Sequence, residues 1–100
     1  MRQLTFTAAI NEAMHIAMHT MPKLLCYGLG ADDPKHIFGT TQNLKETFGV
    51  HRVFDMPTSE NAMTGVAVGL ALGGYPSVMS HQRLDFFLLA MDQLVNSAAK

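Results

Sequence analysis

The chain has 100 residues; 48% of them are hydrophobic, only 15% are charged, and the net charge is −1. This length admits one small domain or part of a larger one, and the near-zero charge without a basic stripe argues against a nucleic-acid partner. A chain with so many apolar residues has more apolar surface than one small core can bury. We therefore expect a homo-oligomer or another partner to cover part of this surface.

A membrane span and an internal disulfide are not expected either. The longest apolar run, 62–74, is too short and too rich in glycine to cross a bilayer. The chain has a single cysteine, Cys26, which lies in an apolar run and is interpreted as a small buried hydrophobe rather than a reactive thiol. These features are typical of a cytoplasmic protein in a reducing compartment.

Helical and strand-like patterns alternate along the chain. We predict, in order, a helix over 5–20 ended by Pro22, a strand within 23–30, a loop over 31–41, a short helix over 42–49, a strand within 51–56, a helix over 59–73, a strand within 75–80 and a helix over 84–99. Three strands separated by helices predict an α/β fold with a partial parallel sheet of about three strands and flanking helices.

The stretch "FDMPTSENAMTGVAVGLALGG" places one carboxylate, Glu60, just before an almost wholly apolar helix. Thr58 or Ser59 can cap this helix, and an acid in its first turn is favoured by the helix dipole, so Glu60 has a purely structural interpretation. It also follows a parallel strand at its carboxyl end, where α/β folds place their sites, so a working group is the alternative.

The same helix carries Gly65, Gly69 and Gly73 at intervals of four residues. Each glycine costs a helix up to about 1 kcal/mol relative to alanine. A stripe of three predicts that another helix packs closely here, and we expect these glycines at an interface.

These residues carry a family resemblance. The segment Asp55-Met56-Pro57-Thr58-Ser59-Glu60, followed by Gly65-Val66 and Gly69, resembles the β subunit of thiamine-diphosphate-dependent 2-oxoacid dehydrogenases, the E1 component of pyruvate or branched-chain type. "LTFTAAINEAM" and "AMDQLVNSAAK" resemble two helices of the same subunit. The resemblance covers residues 1–100 and implies the N-terminal part of a transketolase-like pyrimidine-binding domain, a truncated thiamine-diphosphate-binding fold.

The resemblance implies roles for three side chains. Glu60 would be the catalytic glutamate that hydrogen-bonds N1′ of the cofactor's aminopyrimidine and so promotes loss of the thiazolium C2 proton. Gln82 and Phe86 fall at cofactor-binding positions, Phe86 as the aromatic wall against the pyrimidine. For Phe86 a place in the core of the last helix is an open alternative, and Phe87 is an equal competitor.

The chain departs from the family in two respects. Gly28-Leu29 stands where the family has Gly-Glu, whose glutamate links paired active sites; Asp32 and Asp33 follow but do not replace it in position. The family holds the diphosphate and Mg²⁺ on an α-type subunit, through a motif that does not occur here. We therefore expect the cofactor only in a completed heteromer, and neither binding nor oxidoreductase activity from the isolated chain.

Two function classes stay open. The first is the pyrimidine-binding portion of such a dehydrogenase or decarboxylase; the alternative is a free-standing homo-oligomeric or partner-binding module without catalysis. No metal site is expected, because His15 and His19, four residues apart on the first helix, have no third ligand at a suitable spacing. His81, at the end of the third strand, is interpreted either as a substrate-facing residue or as the cap of a loop.

Overall fold

A three-stranded parallel sheet carries the fold. The computed structural model describes residues 1–33 and 39–100, and five of the predicted loop residues, 34–38, lie outside that description. The elements are α1 (Phe6–Thr20), β1 (Leu25–Gly28), α2 (Leu44–Phe48), β2 (Val53–Asp55), α3 (Glu60–Leu72) and β3 (Ser77–Ser80). The strand order β2-β1-β3, with both pairs parallel, confirms the predicted α/β architecture.

The helix ends follow from local chemistry. Thr5 caps α1 by accepting a hydrogen bond from the backbone N–H of Ala8 at 3.1 Å. Of the two possible caps for α3, Ser59 is the one used: its hydroxyl accepts from the N–H of Ala62 at 3.3 Å. Gly49 ends α2 as predicted, with φ 91°.

Alternate residues of β1 face opposite layers of the molecule. Cys26 pairs in register with Val53 and Val78, and the core cluster on this face joins it to α1 and α2. Tyr27 faces α3, where its hydroxyl donates to the carbonyl of Met63 at 2.7 Å. The sheet therefore separates an α1 side from an α3 side.

The last 17 residues do not form the single α-helix predicted over 84–99. A 3₁₀ helix runs over Leu84–Ala90 and a π-helix over Gln93–Ala98. The physical reason is an incompletely packed face: Ala90 is buried, but Leu84, Leu88 and Leu89 are exposed, and burial of an apolar face is the main source of helical stability.

Arg52 ties the end of α1 to the sheet. Its guanidinium donates to the carbonyls of Met18 at 2.8 Å, Met21 at 3.0 Å and Leu24 at 3.1 Å, and lies 5.0 Å from the ring centre of Phe48. Met18 lies in the last turn of α1, whose carbonyls lack N–H partners within the helix, and the Met21 carbonyl also accepts from the N–H of Leu24 at 3.0 Å.

We expect Arg52→Met to lower the free energy of unfolding by about 2–3 kcal/mol, because it removes this donor from the partly buried carbonyls of Met18 and Leu24. Urea denaturation followed by circular dichroism measures the change. Arg2→Met is the matched control, since Arg2 makes only an exposed ion pair with Glu12. Equal effects of the two substitutions would contradict the role given to Arg52.

Cys26 is buried, which confirms its interpretation as a core residue. Burial, with a smaller contribution from the charge of Asp55, raises the pKa of the Cys26 thiol from 9.0 to about 11. At pH 8 the folded chain thus holds about 10²-fold less thiolate than an exposed cysteine. We expect modification by a disulfide reagent at pH 8 to be at least about 10²-fold slower in the native chain than in urea; comparable rates would show that Cys26 is accessible.

Candidate functional site

The carboxyl edge of the parallel sheet gathers the candidate site residues. Chain segments leave this edge at Gly28, Asp55 and Ser80, the last residues of the three strands. The backbone N–H of Met56 donates to the carbonyl of Gly28 at 2.9 Å, so β2 stays attached to β1 just past its end. The turn 56–59 then leads directly into α3, and Glu60 is its first residue.

Glu60 is buried, with 6% of its surface exposed. Within the described residues no side chain or backbone donor hydrogen-bonds its carboxylate, although its backbone carbonyl accepts from the Thr64 hydroxyl at 2.8 Å. A glutamate that served only to stabilise a helix start would do so equally well in solvent. The carboxylate thus keeps only a small contact with solvent and has no described protein partner, which the structural interpretation of Glu60 does not explain.

Contacts with the sheet hold α3, the helix that carries Glu60, in place. Tyr27 anchors the carbonyl of Met63, and the Thr64 hydroxyl lies 3.8 Å from the sulfur of Met79. Met63 and Thr64 are themselves buried. This packing places the first turn of α3, and Glu60 with it, rigidly over the sheet.

The surroundings of Glu60 within the chain are only partly buried. Among the apolar residues that follow it in α3, Met63 is buried and Ala67 is half-buried, but Ala62 and Val66 are exposed. Part of the wall around Glu60 therefore remains open to solvent or to another subunit.

Gln82 and Phe86 take different positions. Gln82 is exposed and lines a cavity together with His81 and residues of α1, and Glu60 is not among the lining residues. Phe86 is half-buried, and the guanidinium of Arg83 lies 5.2 Å from its ring centre. Its competitor Phe87 instead meets the ring of His81 edge-on, with centroids 6.1 Å apart.

The glycine stripe is shorter than predicted. The helix ends at Leu72, so Gly73 is its C-terminal cap and only Gly65 and Gly69 lie within it. A Cβ at Gly65 would meet the Gln93 side chain at 3.5 Å, whereas a Cβ at Gly69 would meet no described atom within 4 Å. The surface around Gly69 is therefore open.

Leu29 occupies the position where the resembled family has a glutamate. Its N–H donates to the carbonyl of Ser80 at 3.0 Å, and its carbonyl accepts from the Ser80 hydroxyl at 3.3 Å. Asp32 is engaged elsewhere: its carboxylate pairs with Lys45 at 2.6 Å, and its N–H donates to the carboxylate of Asp55 at 3.0 Å. Neither Leu29 nor Asp32 therefore supplies the carboxylate that the resembled family has at position 29.

Comparison with known proteins identifies the family of this chain. The profile of the family described as "Transketolase, pyrimidine binding domain" matches residues 2–100. The chain belongs to this family. Its three-stranded parallel sheet is consistent with the α/β fold of the transketolase pyrimidine domain.

The relatives of this pyrimidine-binding domain include β subunits of 2-oxoacid dehydrogenases. The "3-methyl-2-oxobutanoate dehydrogenase subunit beta" of Mycobacterium tuberculosis is 39% identical over 99 residues, which cover 99% of this chain and 28% of the relative. The "2-oxoisovalerate dehydrogenase subunit beta 2, mitochondrial" of Arabidopsis thaliana is 36% identical over 99 residues, 99% of this chain and 27% of the relative. The "Pyruvate dehydrogenase E1 component subunit beta" of Mycoplasma genitalium is 34% identical over 98 residues, 98% of this chain and 30% of the relative. The chain thus spans less than a third of the length of these relatives.

The histidines of α1 have a structural place in this domain. His19 meets the ring of Phe48 edge-on at 4.8 Å between centroids, and the His15 ring nitrogen lies 3.2 Å from the carbonyl of Gln42. Over residues 1–33 and 39–100, no three His, Cys, Asp or Glu side chains come together as metal ligands. In the same ranges, no helix is both long enough and apolar enough to cross a membrane.

Sequence reasoning missed Tyr27 as the residue that positions α3. The signal was present, because a tyrosine inside the apolar run "LLCYGLG" needs a hydrogen-bond partner once it is buried. It also missed the cavity beside His81, which depends on how three separate segments meet.

Proposed function

We propose that this chain provides the pyrimidine half of a thiamine-diphosphate site in a 2-oxoacid dehydrogenase of the E1 type. The observation that carries the proposal is Glu60: a buried carboxylate with no described hydrogen-bond partner, at the carboxyl edge of the sheet, inside the segment from Asp55 to Glu60 that resembles the family motif. The similarity to dehydrogenase β subunits supports the same assignment.

The chemistry of Glu60 fits an aminopyrimidine. When bound, thiamine diphosphate supplies a ring nitrogen that can share a proton with a carboxylate and an amino group that can take up the C2 proton. Glu60 would hold the shared proton at N1′, and its low exposure would strengthen that hydrogen bond because little water competes for it. The anchoring of Met63 by Tyr27 keeps the carboxylate in place during the proton transfer.

Two further cofactor contacts belong to the proposal. Phe86 would serve as the wall against the pyrimidine, and since Arg83 covers part of its ring, the cofactor would use the remaining surface. Gln82 is proposed as a cofactor-binding residue on the family resemblance, although in the free chain it lines a cavity with His81.

An α-type subunit would complete the site. Thiamine diphosphate carries its highest charge on the diphosphate, and the described residues offer no cluster of ligands for Mg²⁺. The partner would therefore supply the diphosphate and Mg²⁺ clamp, and catalysis would belong to the heteromer, which we place in the cytoplasm.

Calorimetry with thiamine diphosphate and Mg²⁺ tests whether the cofactor site is divided between this chain and an α-type subunit. We expect no measurable binding to the isolated chain, because most of the binding energy would come from the diphosphate. Together with the α-type E1 subunit of the same organism, the chain should bind the cofactor and support decarboxylation of a 2-oxoacid. Micromolar binding by the isolated chain, or no activity from the pair, would contradict the proposal.

A non-catalytic, self-associating module is the second candidate. Its support is the exposed apolar surface at Leu84, Leu88 and Leu89 and the open approach to Gly69. Exposed apolar surface is a frequent mark of protein–protein interaction sites. A self-associated chain that does not respond to an α-type subunit would favour this candidate.

Either candidate gives Gly69 a packing role. We expect Gly69→Leu to shift the chain from a dimer or higher oligomer toward monomer, because the larger side chain blocks close helix approach. Multi-angle light scattering measures the mass, and circular dichroism should show unchanged helix content. Gly69→Ala is the matched control, since it adds only a methyl group and favours the helix. If Gly69→Leu leaves the oligomer intact, the packing role is wrong.

A further inference from the structure

His81 is a half-buried titratable residue to which the proposed cofactor site gives no role. Both of its ring nitrogens, Nδ1 and Nε2, are buried and have no hydrogen-bond partner among residues 1–33 and 39–100. Its ring packs edge-on against Phe87, which orients it without satisfying either nitrogen. Leaving a buried polar group unpaired is costly, so a ring with two unpaired buried nitrogens calls for a hydrogen-bonding partner.

A cavity of about 300 Å³ lies beside His81, between the start of α1 and the end of β3. A second cavity of about 260 Å³ adjoins it and shares Ile10, Thr40, Thr41, Ser80 and His81 as lining residues. A volume of this size suits a small molecule. Cys26 and Val78 border the second cavity, which places it on the α1 side of the sheet, opposite the α3 side that carries Glu60.

The chemistry of the lining selects a class of ligand. None of the described lining residues is Asp, Glu, Lys or Arg, so this part of the lining offers no fixed charge to pair with an ion. The Thr41 hydroxyl donates to the carbonyl of Gly30, and the Ser80 hydroxyl donates to that of Leu29, both at 3.3 Å. Each of these hydroxyls has therefore used its proton and offers only acceptor lone pairs.

A ligand for this cavity must both donate and accept hydrogen bonds. A neutral imidazole has one donor and one acceptor nitrogen, and the Thr41 and Ser80 hydroxyls need donors from the ligand. Phe6 and Ile10 supply an apolar wall on the other side. Alcohol groups on a compact carbon frame meet all of these requirements, whereas a hydrocarbon would leave His81 unpaired.

We propose that the cavity binds an uncharged small molecule, or an uncharged part of a larger one, that carries several hydroxyl groups, such as a sugar or cyclic polyol. His81 pairs with two of its hydroxyls, and Thr41 and Ser80 accept from others. The first cavity shares Gln82 with the proposed cofactor site, so polyol binding is tested on the isolated chain, for which we expect no cofactor binding.

Nuclear magnetic resonance of the ¹⁵N-labelled full chain tests the site. The probes are myo-inositol, D-glucose, D-ribose and glycerol, with cyclohexanol as the ring of matched size that has one hydroxyl, and inorganic phosphate as the anion. We expect at least one polyol to shift the His81 ring nitrogens saturably, with an affinity at least about tenfold higher than that of cyclohexanol. Exposed His51 is the internal control and should not shift.

Two substitutions identify the binding groups. His81→Phe keeps an aromatic ring without nitrogens, and Thr41→Val keeps the shape without the hydroxyl; binding is then followed on the backbone amides of 80–82. We expect dissociation constants to rise at least about tenfold for His81→Phe and a few-fold for Thr41→Val, while His51→Phe leaves them unchanged. The Thr41 variant keeps the test open if His81→Phe does not fold.

Three results would overturn the inference. The first is the absence of a saturable shift with every polyol. The second is a shift of His81 by phosphate alone, which would make this an anion site. The third is unchanged polyol affinity in both His81→Phe and Thr41→Val.

Discussion

Gly28→Ala is expected to lower the free energy of unfolding by about 3–5 kcal/mol, the largest stability effect of a single methyl group in this chain. Gly28 has φ 139°, a conformation that side chains disfavour. A Cβ there would lie 2.3 Å from the carbonyl oxygen of Ser80 and 2.8 Å from its nitrogen. Because these atoms belong to the backbone of β3, the pairing of β1 with β3 would have to open.

Gly49→Ala is the control that separates the effect of the steric clash at Gly28 from the effect of its positive φ. Gly49 also has a positive φ, 91°, but a Cβ there would meet no described atom within 4 Å. We expect it to cost only about 1–2 kcal/mol. Urea denaturation of both variants is the measurement, and equal losses would show that the contact with Ser80 is not the cause.

Glu60→Gln is expected to increase the free energy of unfolding by about 1 kcal/mol, although it removes a favourable charge from a helix N-terminus. The interaction with the helix dipole is worth about 0.3–1 kcal/mol, whereas burial of a charged group without a partner costs more than burial of a neutral amide. An increase in stability on substitution is expected for a residue that is retained for catalysis at the expense of stability.

Glu46→Gln is the matched control for that substitution. Glu46 lies in the first turn of α2 but is exposed, so its replacement should lower stability slightly. Chemical denaturation of both variants at neutral pH compares the two signs. A loss of stability in Glu60→Gln would favour the purely structural interpretation of Glu60.

The sequence predicted the order and type of the first six elements because their signals are local. Pro22 and Gly49 mark helix ends, and the apolar spacing within 5–20 reports the buried face of α1, which Met14 and Met18 occupy. The segment 84–99 was predicted wrongly as one α-helix. Its apolar spacing is helical, but its backbone depends on packing that Leu84, Leu88 and Leu89 do not make here.

The sequence was enough to select Glu60 as a candidate residue, but it did not predict that Glu60 is buried. The motif around Glu60 was enough to select the residue, since carboxylate, cap and strand are consecutive. Its burial was not predictable, because it depends on the anchoring of α3 by Tyr27, 36 positions away from Met63. For the same reason, the cavity beside His81 could not be predicted from the end of one strand.

The central claim is that Glu60 promotes removal of the C2 proton of thiamine diphosphate, and exchange of that proton with deuterium measures it most directly. The experiment uses this chain assembled with an α-type E1 subunit, with cofactor and Mg²⁺ at saturation. We expect Glu60→Gln to slow C2 exchange by about 10²–10⁴-fold, the usual contribution of a positioned acid or base, while the assembled complex stays intact. An exchange rate unchanged by Glu60→Gln would contradict the assignment of Glu60.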